Sequence, residues 1–265
     1  MPSCISEISV LYLGKSKAEG LAVIRFFVNP GEINGETCML TGENAAHAKV
    51  LRIRPGEEIL LCDGDGNEWI CTAEENLQDG FLLKIQEQRF SPSEPKVFVS
   101  VYAAYSKGDK MEHVIQKATE LGASEIVAFP SARCVSRPDS KSIQKKLVRW
   151  QKIAVSAAEQ SGRGRIPRVT AAGSYEEALK RAAESDLGIL FYENEHATTL
   201  RMALEFRDYT SVSLLTGPEG GFEEEEVTAA QKAGLRICTL GRRILRCETA
   251  PLCGLTAVMY AAGEF

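Results

Sequence analysis

Residues 216–222 read Thr-Gly-Pro-Glu-Gly-Gly-Phe and stand between an apolar run at 211–216 and four consecutive glutamates. The apolar run is typical of a buried strand. The glutamates open a segment, 223–233, that has helical spacing and is closed by Gly234. Strands and helices that alternate along a chain build parallel sheets covered on both faces. The motif therefore predicts an α/β domain with a mostly parallel sheet.

The same alternation extends in both directions from this motif, across residues 96–265. Buried-type apolar runs predict strands, and apolar residues at helical spacing predict helices. The further predicted strands are 96–105, 125–129, 187–192 and 235–240. The further predicted helices are 111–121, 141–161, one that begins after Ser174 with a capping box to Glu177, and 250–262.

Residues 25–92 show a different pattern, with short β-rich segments separated by glycine and aspartate turns. Many short strands in so few residues predict a small β-barrel. A proline-containing linker at 91–95 separates this module from the α/β domain, and we expect residues 1–24 to be a poorly ordered leader. The predicted strands are 25–28, 37–41, 58–62, 69–73 and 81–85, with a helical patch at 47–52.

The composition is that of an ordinary globular protein, since 44% of the 265 residues are hydrophobic and 25% are charged. It excludes disordered, collagen-like and fibrous chains. No apolar run approaches the ~18 residues of a membrane-spanning helix, and no basic stretch with an apolar core indicates secretion. The eight cysteines form no CxxC pair, so we expect reduced thiols and no metal site. We therefore expect a cytoplasmic protein without a membrane partner.

Positive charge is concentrated in one segment, although the whole chain has a formal charge of −5. Residues 133–168 contain ten basic and two acidic side chains, a net charge of +8. Charges beyond the Debye length of ~8 Å are largely screened, so a polyanion responds to the local field. The segment is either an RNA-binding surface or a solvated helix face.

Three loops follow predicted strands at the sheet edge where α/β proteins bind ligands. They are residues 193–195, residues 216–222, which we call the glycine loop, and residues 241–249, which together with the preceding Leu240 we call the arginine loop. The glycine loop has neither a GxGxxG nor a GK[ST] pattern. The glutamates at 223–226 would also repel a phosphate from the helix start. The loop therefore suits a neutral or cationic ligand, unless it is only a tight turn before a well-capped helix.

The arginine loop combines cations with two aliphatic side chains. Arg242, Arg243 and Arg246 surround Ile244 and Leu245. The aliphatic pair either covers a flat apolar ligand, such as a purine ring, or fills the core. The arginines can bind RNA phosphate or a carboxylate. The sequence contains neither a GxSxG nor an HExxH motif, so nothing in it indicates a hydrolase.

Together these motifs resemble one family. The glycine loop and the arginine loop, LGRRILRCET, are similar to those of the ribosomal small-subunit methyltransferase E family, which belongs to the trefoil-knotted SPOUT methyltransferases. The resemblance spans residue 25 to the C-terminus. Its other motifs are QKATELG at 116–122, RWQKIA at 149–154, AAEQSGR at 157–163, RFFV at 25–28 and HAKVLR at 47–52.

The resemblance implies a PUA-like β-barrel at 25–92 and a knotted methyltransferase domain at 96–265 that forms a homodimer. It implies methylation of uridine N3 in small-subunit ribosomal RNA, within the assembled subunit, with S-adenosylmethionine as cofactor. The alternatives are a related knotted RNA methyltransferase that acts on another nucleotide or a ribose 2′-hydroxyl, and an RNA-binding protein without catalysis.

The resemblance also assigns site residues. Arg246 and Glu248 are the predicted catalytic residues. The predicted cofactor-binding residues are Tyr192, Glu193, Thr216, Gly217, Pro218, Glu219, Gly221, Leu240, Gly241, Ile244, Leu245 and Thr249. The predicted RNA-binding residues, drawn mainly from the basic segment, are Arg25, Arg52, Arg133, Lys145, Lys146, Arg149, Arg163 and Arg165.

Overall fold

The chain divides into two compact units in the computed structural model, which describes residues 24–78, 80–205 and 209–265. The first unit comprises the chain up to Glu94 together with Ala158–Ile166, and the second comprises Pro95–Ala157 and Pro167–Phe265. The predicted leader lies outside the described residues, except for its last residue, Ile24.

The first unit is built on a six-stranded sheet in the order β1-β4-β5-β6-β3-β2, antiparallel except for the pair β1–β4. All five predicted strands are present, and the last two are longer than predicted because they pair with each other along their whole length. The helix begins five residues before the predicted patch. The elements are β1 (Ile24–Phe27), β2 (Ile33–Asn34), β3 (Thr37–Leu40), α1 (Gly42–Val50), β4 (Glu58–Cys62), β5 (Asn67–Leu77) and β6 (Gly80–Phe90).

Apolar side chains at alternate positions along these strands form the core of the first unit. Ile59 and Leu61 of β4 are fully buried, as are Cys71 of β5 and Leu83 of β6. Residues two apart on a strand point to the same face, so each strand contributes one apolar row to this core. Burial raises the pKa of the Cys71 thiol to about 12, and five of the seven described cysteines are buried, as expected for thiols packed as small apolar side chains.

The segment Ala158–Ile166 belongs to the first unit because of a buried carboxylate. Glu94 accepts hydrogen bonds from Arg163 Nη2 at 2.7 Å and from the backbone N–H groups of Gly164 and Arg165 at 2.9 and 3.0 Å. The domain bounds expected from the sequence, 25–92 and 96–265, stay a prediction. The pair of Glu94 and Arg163 joins residues 69 positions apart and leaves no local pattern in the sequence.

The second unit is a six-stranded sheet in the order β12-β10-β11-β7-β8-β9, and every strand pair is parallel, which confirms the predicted α/β class. The strands are β7 (Phe98–Ala104), β8 (Glu125–Phe129), β9 (Arg168–Ala171), β10 (Leu187–Phe191), β11 (Ser211–Thr216) and β12 (Arg236–Cys238). The helices are α2 (Lys110–Glu120), α3 (Ser140–Ser161), α4 (Tyr175–Ala182), α5 (Leu200–Leu204), α6 (Glu224–Lys232) and α7 (Ala250–Ala261). The sequence analysis missed β9 and α5.

Strand order brings the candidate loops to one edge of this sheet. β10 pairs with both β11 and β12, so the carboxyl ends of these three parallel strands are adjacent. Helix α7, which follows the arginine loop, packs closely on the sheet, since a Cβ on Gly254 would lie only 2.6 Å from the Phe191 ring. Within the described ranges, no helix is long and apolar enough to cross a bilayer.

Candidate functional site

A cleft of about 500 Å³ opens at the carboxyl edge of the second unit's sheet. Its walls come from the loop after β10, the glycine loop and the arginine loop, with Lys110 of α2 beside them. Thr249, the twelfth predicted cofactor residue, caps α7 and does not line the cleft. The predicted cofactor residues that do line it are Tyr192, Glu193, Thr216, Gly217, Pro218, Glu219, Gly221, Leu240, Gly241, Ile244 and Leu245.

The glycine loop presents its backbone to this cleft. Thr216 is buried at the end of β11, and its hydroxyl donates to the carbonyl of Tyr102 at 3.2 Å. The N–H of Gly221 donates to the Pro218 carbonyl at 3.0 Å, which closes the turn. Gly221 has a φ of 68°, and a Cβ there would overlap Glu193 Oε1. Glycine therefore suits this position both for its left-handed backbone and because any side chain would meet the Glu193 carboxylate.

The glutamates that follow the glycine loop stabilise α6. The carboxylate of Glu226 accepts from the backbone N–H of Glu223 at 2.9 Å, from Ser131 Oγ at 3.2 Å and from the N–H of Ala132 at 2.9 Å. The backbone N–H of Glu223, at the start of α6, thus has a hydrogen-bond acceptor within the protein. These hydrogen bonds stabilise the start of α6.

The aliphatic pair of the arginine loop does not fill the core. Ile244 is 81% exposed and Leu245 is half-buried, and both line the cleft. Arg242, Arg243 and Arg246 are exposed on the same loop and also line it. Of the two interpretations of this pair, the structure favours a cover for an apolar ligand.

Lys110 is the site residue that the sequence analysis missed. Its Nζ lies 3.0 Å from Glu219 Oε1 of the glycine loop and 3.6 Å from Glu248 Oε2 of the arginine loop. The Cys247 thiol is 3.7 Å from the same Nζ and donates to Glu248 Oε2 at 3.2 Å. Glu248 therefore contacts the rim of the cleft through Lys110 and Cys247, although it is not itself a lining residue.

Burial and neighbouring charges shift the protonation of this cluster. For both Glu219 and Glu248, partial burial opposes ionisation, but hydrogen bonds and the charge of Lys110 outweigh it and lower the pKa. Burial, together with the hydrogen bond to Glu248, raises the pKa of the Cys247 thiol to about 11. At neutral pH the cluster holds two carboxylates, one ammonium and a neutral thiol.

Comparison with known proteins identifies the family. Residues 93–259 match the family model of an RNA methyltransferase domain, and residues 40–75 match that of an RNA methyltransferase PUA domain. The ribosomal RNA small subunit methyltransferase E of Bacillus subtilis is 36% identical over 230 residues, which cover 84% of this chain and 90% of the relative. The chain belongs to the ribosomal RNA small subunit methyltransferase E family.

Solved structures of similar proteins agree with this family assignment. A ribosomal RNA small subunit methyltransferase E from Neisseria gonorrhoeae, crystallised with S-adenosylmethionine, is 32% identical with a TM-score of 0.76, and the match covers 90% of this chain and 97% of that one. A methyltransferase from Legionella pneumophila, also in complex with S-adenosylmethionine, is 30% identical with a TM-score of 0.73, covering 91% and 98%.

In the second unit, the cations predicted to bind RNA lie on α3 and at Arg133. On α3, Lys145 and Arg149 are exposed, and Arg149 pairs with Glu112 at 2.7 Å. Lys146 is half-buried, and its Nζ lies 5.7 Å from the centre of the Trp150 ring. Arg133 is exposed and donates to the carbonyl of Gly220 at 3.0 Å, which joins it to the glycine loop.

In the first unit, the predicted RNA-binding arginines differ in their exposure. Arg52 is exposed directly after α1, with a φ of 56°. Arg25 pairs at 3.2 Å with the buried Glu68, and Arg165 is half-buried with a hydrogen bond to the Asp65 carbonyl. Arg163 is only 2% exposed and pairs with Glu94. The Arg163 guanidinium therefore stabilises the interior of the unit, and its predicted contact with RNA stays a prediction.

Proposed function

We propose that this chain transfers the methyl group of S-adenosylmethionine to N3 of a uridine in small-subunit ribosomal RNA. The observation that carries the proposal is the convergence of the glycine loop and the arginine loop on one cleft. Two family motifs that are more than 15 residues apart in the chain thereby form the walls of a single ligand site. The relatives crystallised with S-adenosylmethionine support the choice of cofactor.

The residues of the cleft fit this cofactor in charge and shape. The carboxylates of Glu193, on the loop after β10, and Glu219, on the glycine loop, line the cleft, where they attract a cation. Ile244 and Leu245 provide an apolar surface for the adenine ring. When bound, the cofactor supplies a methyl group activated by a sulfonium centre.

Methylation requires that the proton on uridine N3 leaves, because the nitrogen lone pair is otherwise committed to the ring. Arg246 can stabilise the negative charge that develops on the base carbonyl oxygens, since its exposed guanidinium lines the cleft. Glu248, whose pKa is lowered, is an ionised acceptor for the imino hydrogen but a weak base. We assign the larger part of the rate enhancement to Arg246 and to positioning of the reactants.

The remaining parts of the proposal concern the whole enzyme. The exposed cations Arg52, Arg133, Lys145 and Arg149 bind RNA phosphates, and the target uridine is presented unpaired because a base pair hides its N3 edge.

The arginine loop and α7 form the trefoil knot, and the enzyme is a cytoplasmic homodimer that acts on assembled subunits. Tyr260, an exposed aromatic residue on the largely apolar α7, supports a dimer surface, which light scattering tests directly.

The deciding experiment maps methylation on ribosomal RNA. Small subunits that lack the modification are incubated with the enzyme and S-adenosylmethionine carrying a labelled methyl group, and the nucleotides are analysed by mass spectrometry. We expect one N3-methyluridine, which also stops reverse transcription because the methyl group blocks the pairing edge. A methylated ribose would indicate the related knotted activity, and no incorporation would indicate an RNA-binding protein without catalysis. A parallel incubation with free ribosomal RNA tests the preference for assembled subunits.

A further inference from the structure

Lys110 joins three segments that are distant in sequence. It stands in the first turn of α2, and its ammonium lies between Glu219 of the glycine loop and Glu248 of the arginine loop. The side chain is 29% exposed, so these contacts are only partly screened by solvent. Among the cations that line the cleft in the described part of the chain, Lys110 alone forms ion pairs with both loops, whereas Arg242, Arg243 and Arg246 belong to the arginine loop itself.

We propose that Lys110 is a positioning residue for methyl transfer, which holds Glu248 at the cleft by bridging it to Glu219. The inference rests on the proposed function, because it assigns Lys110 a part in the same reaction. In this role, Lys110 contacts neither the cofactor nor the base and acts through the carboxylate of Glu248.

The groups around Glu248 show why this bridge matters. Lys110 and Arg246 are its neighbouring cations, the Cys247 thiol donates to it, and the carboxylate of Glu219 lies on the other side of the Lys110 ammonium. Without Lys110, two carboxylates would share this part of the cleft with less compensating charge. Repulsion between like charges would then favour displacement or protonation of Glu248.

The two loops do not depend equally on Lys110. Glu219 also accepts from the backbone N–H of Lys107 at 3.0 Å, so the glycine loop keeps an anchor when the lysine side chain is removed. Glu248 has no comparable backbone tie to α2 among the described contacts. It keeps the hydrogen bonds from Cys247 and from its own backbone N–H, and the nearby charge of Arg246, all of which belong to the arginine loop. Loss of Lys110 should therefore impair turnover more than cofactor binding.

The test compares Lys110→Met with the wild-type enzyme over a range of pH, with small subunits and S-adenosylmethionine at saturation. We expect kcat to fall about tenfold or more, as for a misplaced catalytic group. The dissociation constant of S-adenosylmethionine, measured by calorimetry, should stay within about threefold of the wild-type value. The acid side of the kcat profile should move upward by roughly half to one pH unit, because the ionised Glu248 is lost at a higher pH.

Lys117→Met is the matched control, since Lys117 lies on the same helix and pairs with Glu120 at the surface, away from the cleft residues. It should leave the profile unchanged. If Lys110→Met does not fold, Lys110→Gln gives the same prediction with a polar side chain. An active wild type with the same profile in either Lys110 variant would overturn this inference alone. An inactive wild type would overturn the proposed function, and the inference with it.

Discussion

Gly221 shows how a single residue can connect two walls of the cleft. Its φ of 68° lies in the left-handed region, and a Cβ would overlap Glu193 Oε1 and lie 2.8 Å from Glu193 Cδ. Because the obstacle is the end of a flexible side chain, alanine should displace the carboxylate rather than the backbone. We expect Gly221→Ala to weaken binding of S-adenosylmethionine about tenfold or more by calorimetry, and Gly221→Val to abolish it.

Gly234→Ala controls for backbone strain, because Gly234 has a φ of 92° but a Cβ there would meet no atom within 4 Å. Both alanine variants should lose about 1 kcal/mol of stability from their left-handed backbone, whereas only Gly221→Ala should lose affinity. In a Glu193→Ala background, the Gly221→Ala change should have little further effect, since its target is already gone. Wild-type affinity in Gly221→Ala would contradict the predicted contact of Glu193 with the cofactor.

Arg246 allows substrate chemistry to be separated from cofactor binding. Its side chain is exposed at the cleft, and it is not needed to hold the glycine loop in any described contact. We expect Arg246→Ala to bind S-adenosylmethionine nearly as the wild type does, while methylation of small subunits falls about 100-fold or more, as when a group that stabilises transition-state charge is removed. Undiminished turnover would show that another group stabilises the charge on the base.

At the scale of single elements, the α3 lysines Lys145 and Lys146 predict how the affinity for RNA depends on salt concentration. Each phosphate contact that is lost should reduce the slope of log K against log salt concentration by about 0.7 to 0.9. We expect Lys145→Gln with Lys146→Gln to weaken RNA binding and to flatten this slope. Arg201→Gln is the control, because this exposed arginine of α5 lies outside the basic segment. An unaltered slope in the double variant would show that these two lysines do not contact RNA phosphates.

Elements with a strong internal pattern were predictable from the sequence. The bounds of β4, β8 and β11 agree with their predictions because each is a continuous apolar or alternating run. The missed elements β9 and α5 contain four and five residues, too few to establish a period. Such short segments owe their structure to the neighbours on which they pack.

Contacts between distant residues explain what the sequence could not reveal about the site. Lys110 pairs with Glu219 across 109 residues and contacts Cys247 across 137, so no spacing rule connects them. The walls of the cleft were predictable because strand–helix alternation places loops at one sheet edge. Arg163 is the converse case: the sequence shows its charge, but only the folded chain shows Glu94 beside it.

At the scale of the whole molecule, the first unit depends on a segment, Ala158–Ile166, that comes from a later part of the chain. The carboxylate of Glu94 holds this segment through Arg163 and two backbone N–H groups, and its side chain is 1% exposed. Removing one partner of a buried ion pair costs about 3–5 kcal/mol, because the remaining charge loses its compensation.

We therefore expect Glu94→Ala to lower the free energy of unfolding in urea by about 3 kcal/mol. The surface control Glu120→Ala, which breaks only the pair with Lys117, should lower it by less than about 1 kcal/mol. The cleft lies entirely within the second unit, so calorimetric affinity for S-adenosylmethionine under native conditions should match the wild type in both variants. Equal loss of stability in the two variants would mean that the later segment is held by its other contacts rather than by Glu94, such as the backbone hydrogen bonds from Gly66 to Gly164 and from Ile166 to Gly64.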